Sequence, residues 1–207
     1  MQGPRRLAGI FAILTLLSLG RAPFAVPGAD AVQAERCGVW RWDVKTLSDP
    51  DAARVDFAPV ATTISQLREL PEPEELGTRT PRIESLEFQT YRVRGRLVEY
   101  KREQDRDFHV VIAQPDSPGR TMVVEVVDPT CPGARDSDRV GAFRAVRQEF
   151  IGLYGHPTTS FKIVPGEPIA FIVGVGFWDS CKGAHIPRGA APNCIELHPV
   201  LDVEPMR

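Results

Sequence analysis

The sequence has no C-x-x-C pair, no G-x-S-x-G turn, no glycine-rich phosphate loop and no basic excess. Each absence removes a class. Without C-x-x-C there is no motif for a thioredoxin-like redox pair, and a zinc site becomes the weaker use of the cysteines. Without the nucleophile elbow, Ser137, Ser160 and Ser180 have no setting for hydrolase chemistry. Gly174 and Gly176 lack both a third glycine and a following helix, so close backbone packing explains them better than phosphate binding. The 25 Lys and Arg stand against 27 Asp and Glu, a formal net charge of -2, which offers polyanions no general attraction. The longest apolar run, residues 7–19, has about 13 residues, short of the roughly 20 that span a bilayer. What is present is ordinary for a globular protein: 207 residues, 43% apolar and 25% charged, which excludes collagen, coiled coil and full disorder.

Arg5 and Arg6 precede that apolar run, and small residues follow at Ala29, Ala31 and Ala34. This is the order of a secretory signal peptide and its cleavage site, so residues 1–34 are expected to be removed and the protein to be secreted or periplasmic in a bacterium. The competing reading is a retained membrane anchor. Cys37 follows Glu35 and Arg36, a poor context for lipidation. Cleavage leaves 22 basic against 26 acidic side chains, a net of -4, and no membrane span.

Export makes disulfides the default for Cys37, Cys131, Cys181 and Cys194, a set that permits three pairings. Cys181 and Cys194 flank a loop rich in Gly, Pro and Ala, so they are paired with each other and Cys37 with Cys131. Buried free thiols are the alternative.

Residues 35–85 are rich in Pro, Asp, Glu and Thr, with one short helix expected over 64–70. Trp40, Trp42, Val44, Phe57, Val60, Ile64 and Leu67 are too apolar for a tail that stays in water, so this segment reads as an irregular arm packed on the domain rather than a spacer. The domain itself, residues 86–207, is strongly β. Over 91–97 apolar residues or Gly alternate with Arg92, Arg94 and Arg96, the period of a strand with one buried face. Further strands are expected over 108–112, 121–127, 169–178 and 195–203. Asp136, Ser137 and Asp138 offer caps to a helix built on Val140, Phe143, Val146, Phe150 and Leu153, which Gly155 and Pro157 stop. The order β-β-β-α-β-β is that of an OB-fold-like Greek-key barrel, five strands with one helix; an unrelated α+β sandwich is the alternative.

Asp105, Asp107 and His109 form a D-x-D-x-H motif, 174–179 reads G-V-G-F-W-D, and 196–200 reads E-L-H-P-V. With these motifs in this order the chain resembles a family of uncharacterised exported bacterial proteins, from about Val44 to the C-terminus. The resemblance implies export and one small domain, and it brings no activity. Cys181 and Cys194 depart from the family pattern, so a ligand held by that loop could differ here.

In the strand over 108–112 the side chains of Phe108, Val110 and Ile112 are expected inward, which turns Asp107 and His109 outward with Asp105. Ile195, Leu197 and Leu201 inward leave Glu196 and His198 outward, and Glu125 interrupts an otherwise apolar strand. The candidate ligand-binding residues are therefore Asp105, Asp107, His109 and Glu125, with Trp178, Asp179, His185 and Arg188 at the loop over 179–193. His109, Glu196 and His198 are the candidate ligands for a divalent metal. The plainer reading is that Asp107 and Glu196 only orient and pair the histidines. No catalytic residue is nominated and no cofactor is required. The expected function is a binding or structural module of the cell envelope, its partner a protein, a glycan or a small molecule. A metal-dependent hydrolase is one alternative. An OB-type nucleic-acid binder is another, although the acidic balance and the lack of exposed aromatics on the relevant strands argue against nucleic acid.

Overall fold

A computed structural model describes residues 3, 36–180 and 186–206. The chain divides into two units, Met1–Ala34 and Glu35–Arg207, and every element below belongs to the second. In chain order these are α1 (Trp42–Lys45), β1 (Asp56–Thr62), α2 (Ile64–Arg68), β2 (Gln89–Arg102), β3 (Phe108–Gln114), β4 (Ser117–Val126), α3 (Val140–Tyr154), β5 (Lys162–Ile163), β6 (Ile169–Trp178) and β7 (Ile195–Pro205). Among the described residues the protein is mainly β, with three short α-helices and a mixed sheet of seven strands.

The alternation at 91–97 is the centre of the longest strand, β2, with 14 residues. It pairs antiparallel with β3 through its second half and with β6 through its first half. Antiparallel β3 and β4 turn over Pro115 and Asp116, β4 pairs parallel with β7, and β7 pairs antiparallel with β6. The pairings therefore run β2, β3, β4, β7, β6 and back to β2. Gly95 of β2 faces the core side chains of Ile112 and Ile172, and the register of β2 against β3 shifts between Leu97 and Glu99. A Cβ on Gly95 would lie 3.1 Å from Ile112 Cδ1 and 3.4 Å from Ile172 Cδ1, tighter than an ordinary contact, so those side chains would have to give by a few tenths of an ångström.

Inside this circuit lies the main core, which includes Val93, Leu97, Phe108, Val110, Ile112, Met122, Val124, Ile172, Ile195 and Leu197. The inward set expected on β3 is thus found. On β7 the register shifts near Gly174 and Gly176 of β6, so Val200 and Val203 continue the core while Leu201 joins a second cluster. A Cβ on Gly176 would sit 2.7 Å from Leu86 O, which accounts for that glycine by backbone packing. Helix α3 buries Phe143, Val146 and Phe150, but Leu153 is 47% exposed. Its N-cap is Arg139 rather than an Asp or Ser; Ser137 Oγ instead accepts the Arg139 N–H at 3.2 Å.

The arm is more regular than its composition suggests. Its strand β1 lies parallel beside β2, and its single Pro59 is tolerated because β1 is an edge strand. Most of β1 is exposed, so no period-two apolar pattern announces it. Helix α2 starts where expected but ends at Arg68 rather than residue 70, and it opens with a capping box: Thr63 accepts from the Gln66 N–H while Gln66 Oε1 accepts from the Thr63 N–H. Leu47, Val55, Ala52 and Phe57 of the arm pack with Val127, Phe143, Val175 and Leu201 into the second cluster. The Cys37–Cys131 disulfide, with Cα atoms 5.7 Å apart, ties the start of the arm to the segment after β4. Among the described residues no cysteine is free; Cys181, the expected partner of Cys194, lies outside them. No described helix is long and apolar enough to cross a membrane.

Candidate functional site

The strand period that turns Phe108 and Val110 into the core turns Asp107 and His109 to the other face, where Glu125 of β4 and Glu196 and His198 of β7 join them. The residue pattern alone predicts an exposed outer surface. Instead Asp107, His109, Glu125, Glu196 and His198 are all between 0% and 6% exposed. Two segments outside these three strands lie against them: the arm, through Lys45, at one end and residues 186–194, through Arg188 and Gly189, at the other.

At the first end, Lys45 of α1 is 7% exposed and its Nζ lies 3.7 Å from Asp179 Oδ2. His198 stands between two carboxylates, with Nδ1 3.1 Å from Glu196 Oε1 and Nε2 3.3 Å from Asp107 Oδ2. The second contact lacks hydrogen-bond geometry, so Asp107 Oδ2 and His198 Nε2 face one another as an ion pair in a fully buried position. Asp107 Oδ1 accepts the Asp128 N–H at 2.7 Å. Burial and Lys45 oppose a charge on His198, but Asp107 and Glu196 outweigh them and push it up to about 9. Burial, reinforced by Asp107, holds Asp105 above the ordinary carboxylate range.

At the other end, His109 Nδ1 is 3.0 Å from Glu125 Oε1 and Nε2 is 2.9 Å from the Arg188 carbonyl. Burial opposes its protonation, yet Glu125, the Arg188 carbonyl and Glu103 push it up to about 9. Burial, with Glu196 nearby, holds Glu125 above the ordinary range despite His109. Lys45 loses hydration by burial, but Asp179, Glu196, Glu125 and Asp105 together keep it firmly charged. Lys45 thus responds to carboxylates from both ends, which makes the cluster electrostatically continuous.

Gly189 explains how the 186–194 segment can lie on β3. Its φ is +83°, and a Cβ would sit 2.5 Å from the Val111 methyl groups. Arg188 anchors the same segment through Nε to Glu99 Oε1 at 2.6 Å. Trp178, expected at the loop, is instead in the main core; its N–H donates to Glu87 Oε1 and its carbonyl accepts from Arg41. Asp179 is held by Lys45, and His185 lies outside the described residues. His109, Glu196 and His198 are not gathered into one ligand set. Among the described residues no group of three or more His, Cys, Asp or Glu is arranged to hold a metal ion.

Lys45, Arg41 and Glu87 carry no signal in the sequence. Nothing in the spacing of arm residues indicates which strand residue each will meet. A second polar feature is equally silent there. Between the β2–β3 connection and α3 lies a cavity of about 270 Å³ lined by Arg102, Arg106 and Arg147. Comparison with family models, with curated proteins and with solved structures finds no match for this chain.

Proposed function

We propose that this protein is an exported binding module of the cell envelope, built on an OB-type barrel, in which the buried His and carboxylate cluster is a clamp rather than a reaction centre. The observation that carries the reading is the closure of both imidazoles. Each ring has both nitrogens turned to groups of the fold, and neither is more than 3% exposed. A general base must reach the proton it takes, so groups sealed in this way are poorly placed to act on a substrate.

The barrel reading draws support from the pairing circuit. With the edge strand β1 and the two-residue β5 set aside, β2, β3, β4, β6 and β7, numbered among themselves, pair in the order 1-2-3-5-4-1, with α3 between the third and fourth. In such barrels ligands meet the outer face of the second and third strands. Here part of that face is filled by the Arg188 and Gly189 segment, which shifts the expected ligand surface to its flank. Export draws support from the Cys37–Cys131 bridge, since oxidising compartments are where such bonds persist.

A hydrolase is the second reading. It is favoured by the fully buried Asp107 and His198 pair, because titratable groups in strained electrostatic settings cluster at functional sites. Metal analysis of protein purified without chelator, together with His109→Ala and His198→Ala, separates the two. The clamp reading expects no stoichiometric metal in the wild type and a lowered unfolding midpoint in both variants. Stoichiometric zinc or manganese, lost in both variants with stability unchanged, would replace it with the hydrolase.

A further inference from the structure

Residues 186–190 form the outer part of the segment that lies on β3. Ile186 is 65% exposed whereas Ala191 is fully buried, so the segment has an outer end and an anchored one. The anchored end is held by Asn193, whose Nδ2 donates to the Leu67 and Leu70 carbonyls at 2.9 Å each. Among the described residues, Arg188 makes both hydrogen bonds from the outer end to the sheet. One joins its side chain to Glu99, but that side chain is 66% exposed, and an ion pair open to water holds little. The other joins its carbonyl to His109 Nε2.

That second bond depends on a proton count. Nε2 faces a carbonyl, and Nδ1 faces Glu125 Oε1 at 3.0 Å and Glu103 Oε1 at 3.4 Å, so every polar partner of the ring is an acceptor. A neutral imidazole has a single N–H. Serving both sides therefore takes one proton on Nε2 and a second between Nδ1 and Glu125. The remaining neighbours leave this count unchanged. Lys101, opposite His109 on β2, is taken by Glu103 at 2.9 Å. Phe161 offers only its ring, 5.5 Å away, and Glu196 and His198 act through Glu125. Burial works against the second proton, but Glu125, the Arg188 carbonyl and Glu103 hold it up to about 9.

We propose that His109 is a proton-operated latch on residues 186–190: doubly protonated it holds the Arg188 carbonyl and keeps β3 covered, and singly protonated it lets the segment lift. Hydroxide takes the proton as water. The one that stays goes to Nδ1, because a hydrogen bond to a carboxylate is roughly twice as strong as one to a neutral carbonyl. Nε2 then turns a lone pair toward the Arg188 oxygen 2.9 Å away, and that carbonyl is better served by water. Lifting of the segment uncovers Val111, on which Gly189 lies, and the edge of the His109 ring. Access to the outer face of β3 is thereby set by pH, whatever that face then binds.

The experiment is NMR of the folded, disulfide-bonded protein between about pH 6.5 and about pH 10, read on protons that do not exchange with water. The Overhauser contact between Gly189 Hα and the Val111 methyls reports the closed segment, and the methyl shifts of Ile112 and Leu197 report the core. The contact should weaken about fivefold or more as the His109 ring titrates, with the core shifts unchanged. In His109→Gln, which has no proton to lose in this range, the contact should not vary with pH. A wild-type contact that persists once the ring has titrated, or that vanishes only together with the core shifts, overturns the latch. So does a wild-type pH dependence in His109→Gln. Should that variant fail to fold, the wild-type midpoints decide: contact and ring titrating together uphold the proposal, and midpoints more than about one unit apart refute it.

Discussion

Arg41 meets Glu87 edge to edge, with Nη1 2.7 Å from Oε1 and Nη2 2.5 Å from Oε2, and both side chains are wholly removed from water. The neighbouring backbone completes the pair. Glu87 accepts the Trp178 and Ile83 N–H groups, and Arg41 donates to the carbonyls of Thr80, Pro81 and Trp178. A buried pair is worth having only when satisfied in this way, and half of one is very costly. Glu87→Ala should therefore lose about 3–5 kcal/mol in urea unfolding. A loss under about 1 kcal/mol would show that the arm is not held by this pair.

His109 and His198 make stability depend on pH. Both are raised from 6.5 to about 9 in the folded protein, so the fold binds protons that the unfolded chain has released. Their contribution is complete below about pH 6.5 and is lost as pH rises through about 9. Glu125, raised by burial, acts in the same direction over a lower range. Each shift corresponds to about 3 kcal/mol, so the unfolding free energy should fall by roughly 6 kcal/mol between about pH 6 and about pH 9.5. His198→Asn should flatten that dependence. A midpoint that rises with pH over this interval would contradict the pairing.

Reduction should loosen the arm. The Cys37–Cys131 bridge spans 94 residues of sequence, and a loop of that size restricts the unfolded chain by roughly 4–5 kcal/mol in the chain-entropy account. Replacing both cysteines by Ser should cost about 2–5 kcal/mol. Non-reducing peptide mapping checks the connectivity. It should place Cys37 with Cys131, and a Cys37–Cys194 or Cys37–Cys181 peptide would be incompatible with the fold.

Two glycines should respond in opposite senses. Gly141 lies on the exposed side of α3, and nothing stands within 4 Å of the place a Cβ would take, so Gly141→Ala should stabilise by about 0.5–1 kcal/mol. Gly176→Ala forces a Cβ to 2.7 Å from Leu86 O and 2.8 Å from Leu86 Cγ. It should destabilise by about 1–3 kcal/mol, as overpacking of a rigid core does. Thermal denaturation of the two variants side by side decides both.

Periodicity and punctuation are legible in the chain. The alternation around Arg92, Arg94 and Arg96, the apolar run of β6 and the capped pattern of α3 each depend on neighbours in sequence, so β2, β6 and α3 lie where they are expected. The edge strand β1 is hidden, because an exposed strand has no apolar face to alternate. Local order along the chain is enough to say which residues share a face: Asp107 with His109, and Glu196 with His198. It cannot say what lies over that face. Burial of the cluster depends on Lys45 and on Arg188 with Gly189, and the convergence of Arg102, Arg106 and Arg147 depends on how α3 is carried across β3. These contacts join residues roughly 40 to 150 positions apart, where no local pattern records the partner. Long-range packing turns an expected solvent-facing patch into a buried cluster of ionic groups and brings three arginines to one hollow beside it.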